Sequence, residues 1–249
     1  MTRFKIVVEY DGTGYHGWQL QKDLPTVQGE IERALERILR RATRVHGAGR
    51  TDAGVHAVGQ TAHFDAEWKH PPEALQAGCN SLLPAEITLL LIEAVPDSFH
   101  ARHSAVLKTY VYRIFNSKVR SSLNRLYAWH LPHHLDAPAM SEAAHHLLGS
   151  HDFAAFGAPT DGTPSTVREM TAATWVQCSD PGLLEFSITG SGFLRYMVRS
   201  LVGTLVQVGM GRITPSDFLD ILKSCQRSRS GPTAPANGLC LQSVEYDHV

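Results

Sequence analysis

An α+β fold, a sheet covered on one side by helices, is what the order of segments predicts. Three observations point to it. Strand-like and helix-like stretches alternate through the first hundred residues, hairpin-like pairs follow, and Gly- and Pro-containing turns punctuate both. FKIVVEYDG, Phe4 to Gly12, opens the chain as a strand and leads into a Gly-rich loop. A helix starts near Thr26, because Val27, Ile31, Leu35, Ile38 and Leu39 recur at helical spacing opposite Glu30, Arg33, Arg37 and Arg40. The segment RTDAGVHAVGQTAHFDA suggests an extended pair around a loop, and Pro72 to Leu82 suggests a second helix. EITLLLIEAVP is too short for a helix and rich in β-branched residues, so it is expected to be a strand buried on both faces.

In the second half, KTYVYRIFN alternates as a strand, and a helix is expected from Ser141 through Leu148. VREMTAATWVQ and LLEFSITGSG flank the turn-like SDPG and read as a hairpin. FLRYMVRSLVGTLVQVG is an apolar helix, and Thr214-Pro215-Ser216-Asp217 supplies cap, Pro and acidic residue for the next one. GLCLQSVEYD closes the chain as a strand. With 249 residues, two halves are expected, residues 1–105 and 106–249, with a loose repetition of element order and no sequence repeat.

Composition narrows the function classes. Lys+Arg minus Asp+Glu is 23 − 24 = −1, so a polyanion can be held only by a concentrated basic patch. The N-terminus reaches Glu9 and Asp11 before any long apolar run, and Ile87 to Ile92 is far shorter than the roughly 18 residues of a membrane span. No membrane association is expected. Cys79, Cys178, Cys225 and Cys240 form no C-x-x-C pair, which fits buried thiols in a reducing cytoplasm. The 14 histidines contain no H-E-x-x-H set, so no metal site is expected, and they read as surface and packing residues.

Gly12-Thr13-Gly14-Tyr15-His16-Gly17 matches G-x-G-x-x-G after a strand, but WQLQKDLP follows where a helix should begin, so the segment reads as a structural loop. The sharper segment is GAGRTDAGVHA, Gly47 to Ala57, in which small residues flank Asp52 and Arg50 stands two residues away. It is compatible with a tight turn closed by Asp52 or with a site for one ionised carboxylate. The loop offers neither a triad nor the paired carboxylates of divalent-metal phosphoryl chemistry. Tyr110 and Tyr112 share a strand face with Lys108, either stacking a base or packing inward. Arg195 and Arg199 are spaced i, i+4 on the expected apolar helix, either buried against an anion or snorkelling.

Taken together, EYDGTGYHGWQ, GAGRTDAGVHA, FHAR…KTYVYR, GFLRYMVRSLVG and PTAPANGLCL resemble the tRNA pseudouridine synthase A family in order and spacing, from Phe4 to about Tyr246. The resemblance implies a continuous mixed, largely antiparallel sheet with a central cleft, and a homodimer acting on uridines 38, 39 and 40 of the tRNA anticodon stem-loop without metal or organic cofactor. It implies Asp52 as catalytic carboxylate, Tyr110 against the uracil, Arg199 paired with Asp52, and Arg50 holding the displaced nucleotide. Lys108-Thr109 stands where some relatives carry arginines, and His103 where some have Phe. Two other classes are an inert RNA-binding module, which leaves Asp52 without a purpose, and a metal-dependent nuclease, which a chelator would silence.

Overall fold

The computed structural model describes residues 1–159 and 165–247, and the chain divides into two compact units. The first is Met1–Lys108 with the chain from Cys240 onward; the second is Thr109–Leu239. Against the division expected at 105/106, the boundary lies three residues later and the chain from Cys240 onward goes with the first unit. The reason is pairing: Cys240 and Leu241 lie in parallel register with His56 and Ala57.

In the first unit, β1 (Thr2–Tyr10) runs antiparallel to both β3 (His56–Ala66) and β4 (Ile87–Val95). The two-residue strand β2 (His46–Gly47) pairs with β3, placing His46 opposite His63. Helix α1 (Val27–Leu39) is capped by the Thr26 side chain, which accepts from the Gly29 amide, and it buries Val27, Ile31, Ala34 and Leu35. Helix α2 (Pro72–Asn80) packs on β4. Strand β4 is not buried on both faces. It is an edge strand with Leu90 and Leu91 exposed, because β1 is its partner on one side. On α2, Gln76 and Asn80 donate to the Leu89 carbonyl and Asn80 accepts from the Leu89 amide, which satisfies backbone groups that an edge leaves open.

The second unit takes up β5 (Ala105–Asn116) beyond Lys108, β6 (Trp129–Leu131), α3 (Ala137–His145), β7 (Gly149–Asp152), β8 (Val167–Gln177), β9 (Leu183–Gly190), α4 (Met197–Gly209) and α5 (Pro215–Ser224). Its sheet order is β5-β9-β8-β7, with β6 parallel to β5 and the expected β8–β9 hairpin in place. Helix α3 begins four residues earlier than expected, since Asp136 caps it through the Ala139 amide and Pro138 fits its first turn. Helix α4 buries eleven of its thirteen residues. Helix α5 carries the anticipated cap as a reciprocal box between Thr214 and Asp217.

Ten strands, paired mostly antiparallel, and five α-helices among the described residues make this an α+β fold. No helix among them is long and apolar enough to cross a membrane. The cysteines are not uniformly buried: Cys79 is, with its thiol pushed up to about 12 by burial, but Cys178 and Cys240 are half-buried and Cys225 is exposed.

Candidate active site

The Asp52 loop hangs between β2 and β3 and is tied at nearly every residue. The Ala48 amide donates to Thr61, and the Gly49 carbonyl accepts from Gln60 Nε2 at 2.9 Å. The Thr51 hydroxyl meets the Tyr10 phenol at 2.8 Å, and its carbonyl accepts from the Trp18 amide at 3.1 Å. Val55 N donates to the Asp52 carbonyl at 3.2 Å, closing a turn in which Gly54 has φ +78°. The turn is therefore real, and its backbone closes it. Asp52 is half-buried and Arg50 exposed, with Arg50 Nε on Gln19 Oε1 at 3.2 Å.

The Gly-rich loop after β1 packs directly against this turn. Gly17 has φ +87°, and a Cβ there would run into the Thr51 carbonyl; one on Gly12 would run into that of Val55. Gly12 N donates to His56 Nδ1 and Gly54 N to the Tyr15 carbonyl. Tyr10, Trp18 and Gln60, all buried, were not singled out by the sequence. One signal was available for Gln60, a polar side chain alternating with Val58, Ala62 and Phe64 on one face of its strand. Lys108 joins the same network, with Nζ on the Ala48 carbonyl at 2.9 Å.

In the second unit, Tyr110 and Tyr112 are both buried. Tyr110 meets Phe193 edge-on at 4.9 Å. Tyr112 donates to the Pro235 carbonyl, and burial holds its phenol far above the ordinary range despite the nearby charge of Arg199. Arg199 lies in the first turn of α4, with Nε on the Ala234 carbonyl at 2.8 Å, while the Ala234 amide donates back to the Arg199 carbonyl. The expected i, i+4 helical pair of Arg195 and Arg199 is not formed. Tyr196 adopts φ +63° and stops the helix short, leaving Arg195 outside it, bridged to Ala158. The two guanidiniums instead approach the Tyr196 ring, at 4.7 and 5.5 Å from its centroid. Arg50 and Asp52 thus belong to one unit, and Tyr110 and Arg199 to the other.

No group of three or more His, Cys, Asp or Glu among the described residues is arranged to hold a metal ion. What the Asp52 loop offers is a carboxylate on a tied backbone, flanked in sequence by small residues and the Arg50 guanidinium.

Comparison with known proteins gives that carboxylate a context. A family model described as tRNA pseudouridine synthase matches residues 6–104 and 143–247. The chain belongs to the tRNA pseudouridine synthase family. Among curated proteins, a tRNA pseudouridine synthase A of Geotalea daltonii is 44% identical over 246 residues, covering 99% of this chain and 100% of that protein. Proteins of the same description from Streptococcus equi subsp. equi and a Thermoanaerobacter species are 41% and 43% identical, again covering 99% of this chain and all of theirs. The stretches matched by the tRNA pseudouridine synthase model contain Arg50, Asp52 and Arg199, while Tyr110 lies in the interval between them.

Proposed function

We propose that this protein isomerises uridine to pseudouridine in tRNA, at positions 38, 39 and 40 of the anticodon stem-loop. The observation that carries this reading is the Asp52 loop, whose neighbouring residues Gly49 and Thr51 are held by Gln60, Tyr10 and Trp18, in a chain that belongs over most of its length to a tRNA pseudouridine synthase family. The reaction breaks N1–C1′, turns the detached uracil and joins C5 to C1′. The proton lost from C5 is balanced by one gained at N1. Composition does not change, so the reaction needs no oxidant, reductant or group donor, and neither metal nor organic cofactor is assigned.

Asp52 is assigned the catalytic role. It acts as an ionised group, whether it traps C1′ or C6 or removes a ribose proton, and a guanidinium partner favours that form of a carboxylate. Arg199 is assigned as that partner, Tyr110 as the ring against the flipped uracil, and Arg50 as a hold on the displaced nucleotide. Extruding the uridine costs a few kcal/mol, which stacking and phosphate contacts offset. A cytoplasmic homodimer is part of the same reading.

The test is direct. Purified protein is incubated with unmodified tRNA carrying uridines at 38–40 in the presence of EDTA, and pseudouridine is mapped. Conversion at those positions is expected. Binding without conversion would reduce the protein to an RNA-binding module, and strand cleavage abolished by EDTA would make it a nuclease.

A further inference from the structure

Four histidines of the first unit form a chain of ring contacts, one stacked, one edge-on and one tilted. His46 on β2 stacks on His63 of β3 at 5.1 Å, His63 meets His100 at 4.6 Å, and His100 meets His103 at 4.3 Å. His100 and His103 come from the segment between β4 and β5. The inner rings are locked: His63 Nδ1 accepts from the Ala101 amide at 3.1 Å, and His100 Nδ1 accepts from the amides of Arg102 and His103. Those bonds require a bare Nδ1. Burial, then the neighbouring His100 and His46, then Arg3, hold His63 down at about 4, and burial with His103, His46 and Arg3 also lowers His100. The inner pair are neutral spacers. The outer pair, His46 and His103, are exposed.

No carboxylate lies within ion-pair distance of any of the four rings among the described residues. Asp65, whose charge favours protonation of His63, is gripped by Arg3 at both oxygens, 2.8 Å each. Arg3 also donates to the carbonyls of Asp97 and Phe99. Beside β2, Glu32 is engaged by Arg44 and by the Val45 amide. An anion complementary to the cluster must therefore come from outside. The cluster also has a fixed place: His46 precedes Arg50 by four residues and Asp52 by six, at most about 20 Å of extended chain. A chain of net charge −1 needs such local patches to hold a polyanion.

We infer that this cluster is a second contact for the substrate RNA, its exposed rings His46 and His103 meeting the phosphate backbone near the Asp52 loop. The inference rests on the tRNA reading above. Imidazolium N–H groups donate to phosphate oxygens as charge-assisted bonds, and histidine changes charge between about pH 5 and 8, so this contact strengthens as pH falls.

The experiment compares the wild type with His46→Phe/His103→Phe, which keeps aromatic rings in the cluster and removes the ionisable nitrogens. Binding of unmodified tRNA is measured at pH 6.0 and 8.0 with EDTA and fixed ionic strength. Wild-type Kd is expected to be about three- to tenfold lower at pH 6.0, and the double variant to lose most of that ratio. Its log–log salt slope at pH 6.0 should be shallower by about one phosphate, roughly 0.7 to 0.9. His103→Phe alone should lose part of the ratio. A wild type without a pH ratio, a double variant that keeps the full ratio, or an equal loss at both pH values would overturn the inference. Pseudouridine is scored in the same wild-type samples at pH 8.0. Its absence sinks the tRNA reading, while its presence with an unmoved pH ratio sinks the phosphate contact alone.

Discussion

Asp52 is exposed enough to meet a substrate and tied at the backbone on both sides, so its replacement should alter chemistry without disturbing the loop. Asp52→Asn is expected to abolish turnover while tRNA affinity stays within about tenfold, or roughly 1.4 kcal/mol. Single-turnover pseudouridine mapping beside a binding titration checks both, and measurable steady-state turnover would remove Asp52 from its role. Tyr110 rests edge-on against Phe193, a placement that supports the ring and leaves the role of its hydroxyl open to test. Tyr110→Phe is expected to keep tRNA binding and lose turnover, implicating the hydroxyl in proton transfer at C5; near-normal turnover would leave it a stacking role only. His63 makes a prediction about the fold itself. Its native pKa is held at about 4, whereas an unfolded imidazole titrates near 6.5. Between those values the unfolded chain takes up a proton that the native one does not, so this contribution is complete above about pH 6.5 and is lost as pH falls toward 4. Denaturant unfolding from pH 7.5 to 4.5 should show stability declining with acid, with a flatter decline in His63→Gln. Equal slopes would mean that burial of His63 is not a source of the acid sensitivity.

At the scale of elements, those legible in the sequence are the ones specified locally. Helix α1 announces itself by apolar spacing and Thr26, α5 by the Thr214–Asp217 box, and the β8–β9 hairpin by SDPG. Where the reading failed, a distant partner decided the outcome. Apolar periodicity runs smoothly through Phe193 to Met197, yet the left-handed turn at Tyr196 and the bridge from Arg195 to Ala158 postpone α4. The β-branched run of β4 looks doubly buried, yet its place at a sheet edge exposes Leu90 and Leu91. The candidate site divides the same way. Arg50 and Asp52 were evident from one compact segment, whereas Tyr10 and Trp18 reach Thr51 from 41 and 33 residues away, a relation that no local pattern encodes. Two glycines test this long-range framing. Gly17→Ala forces a side chain into a positive-φ residue facing the Thr51 carbonyl, so it should shift the Asp52 loop and lower kcat more than it raises the Kd for tRNA. Gly203→Ala drives a Cβ from α4 into the Pro232 carbonyl, beside the strand of chain that carries the Ala234 contact to Arg199. It is expected to cost about 1–3 kcal/mol in a denaturant titration, and an unchanged midpoint would show that this packing yields freely.

For the whole molecule the central difficulty is charge. A net of −1 cannot draw in tRNA by bulk attraction, so the 23 Lys and Arg must act where they are gathered, as Arg195 and Arg199 are around the Tyr196 ring. One chain of 249 residues offers few such places. Two copies related by a twofold axis double the basic frontage and allow one subunit to grip the tRNA body while the other presents Asp52 to the anticodon arm. The expected state at micromolar concentration is therefore a homodimer by sedimentation velocity. Its tRNA affinity should fall steeply with salt, with a log–log slope equal to several phosphates at about 0.7 to 0.9 each. The two measurements separate the two claims. A monomer fully active on tRNA would refute the shared grip while leaving the Asp52 chemistry intact, and a flat salt response would refute concentrated basic contacts in either oligomeric state.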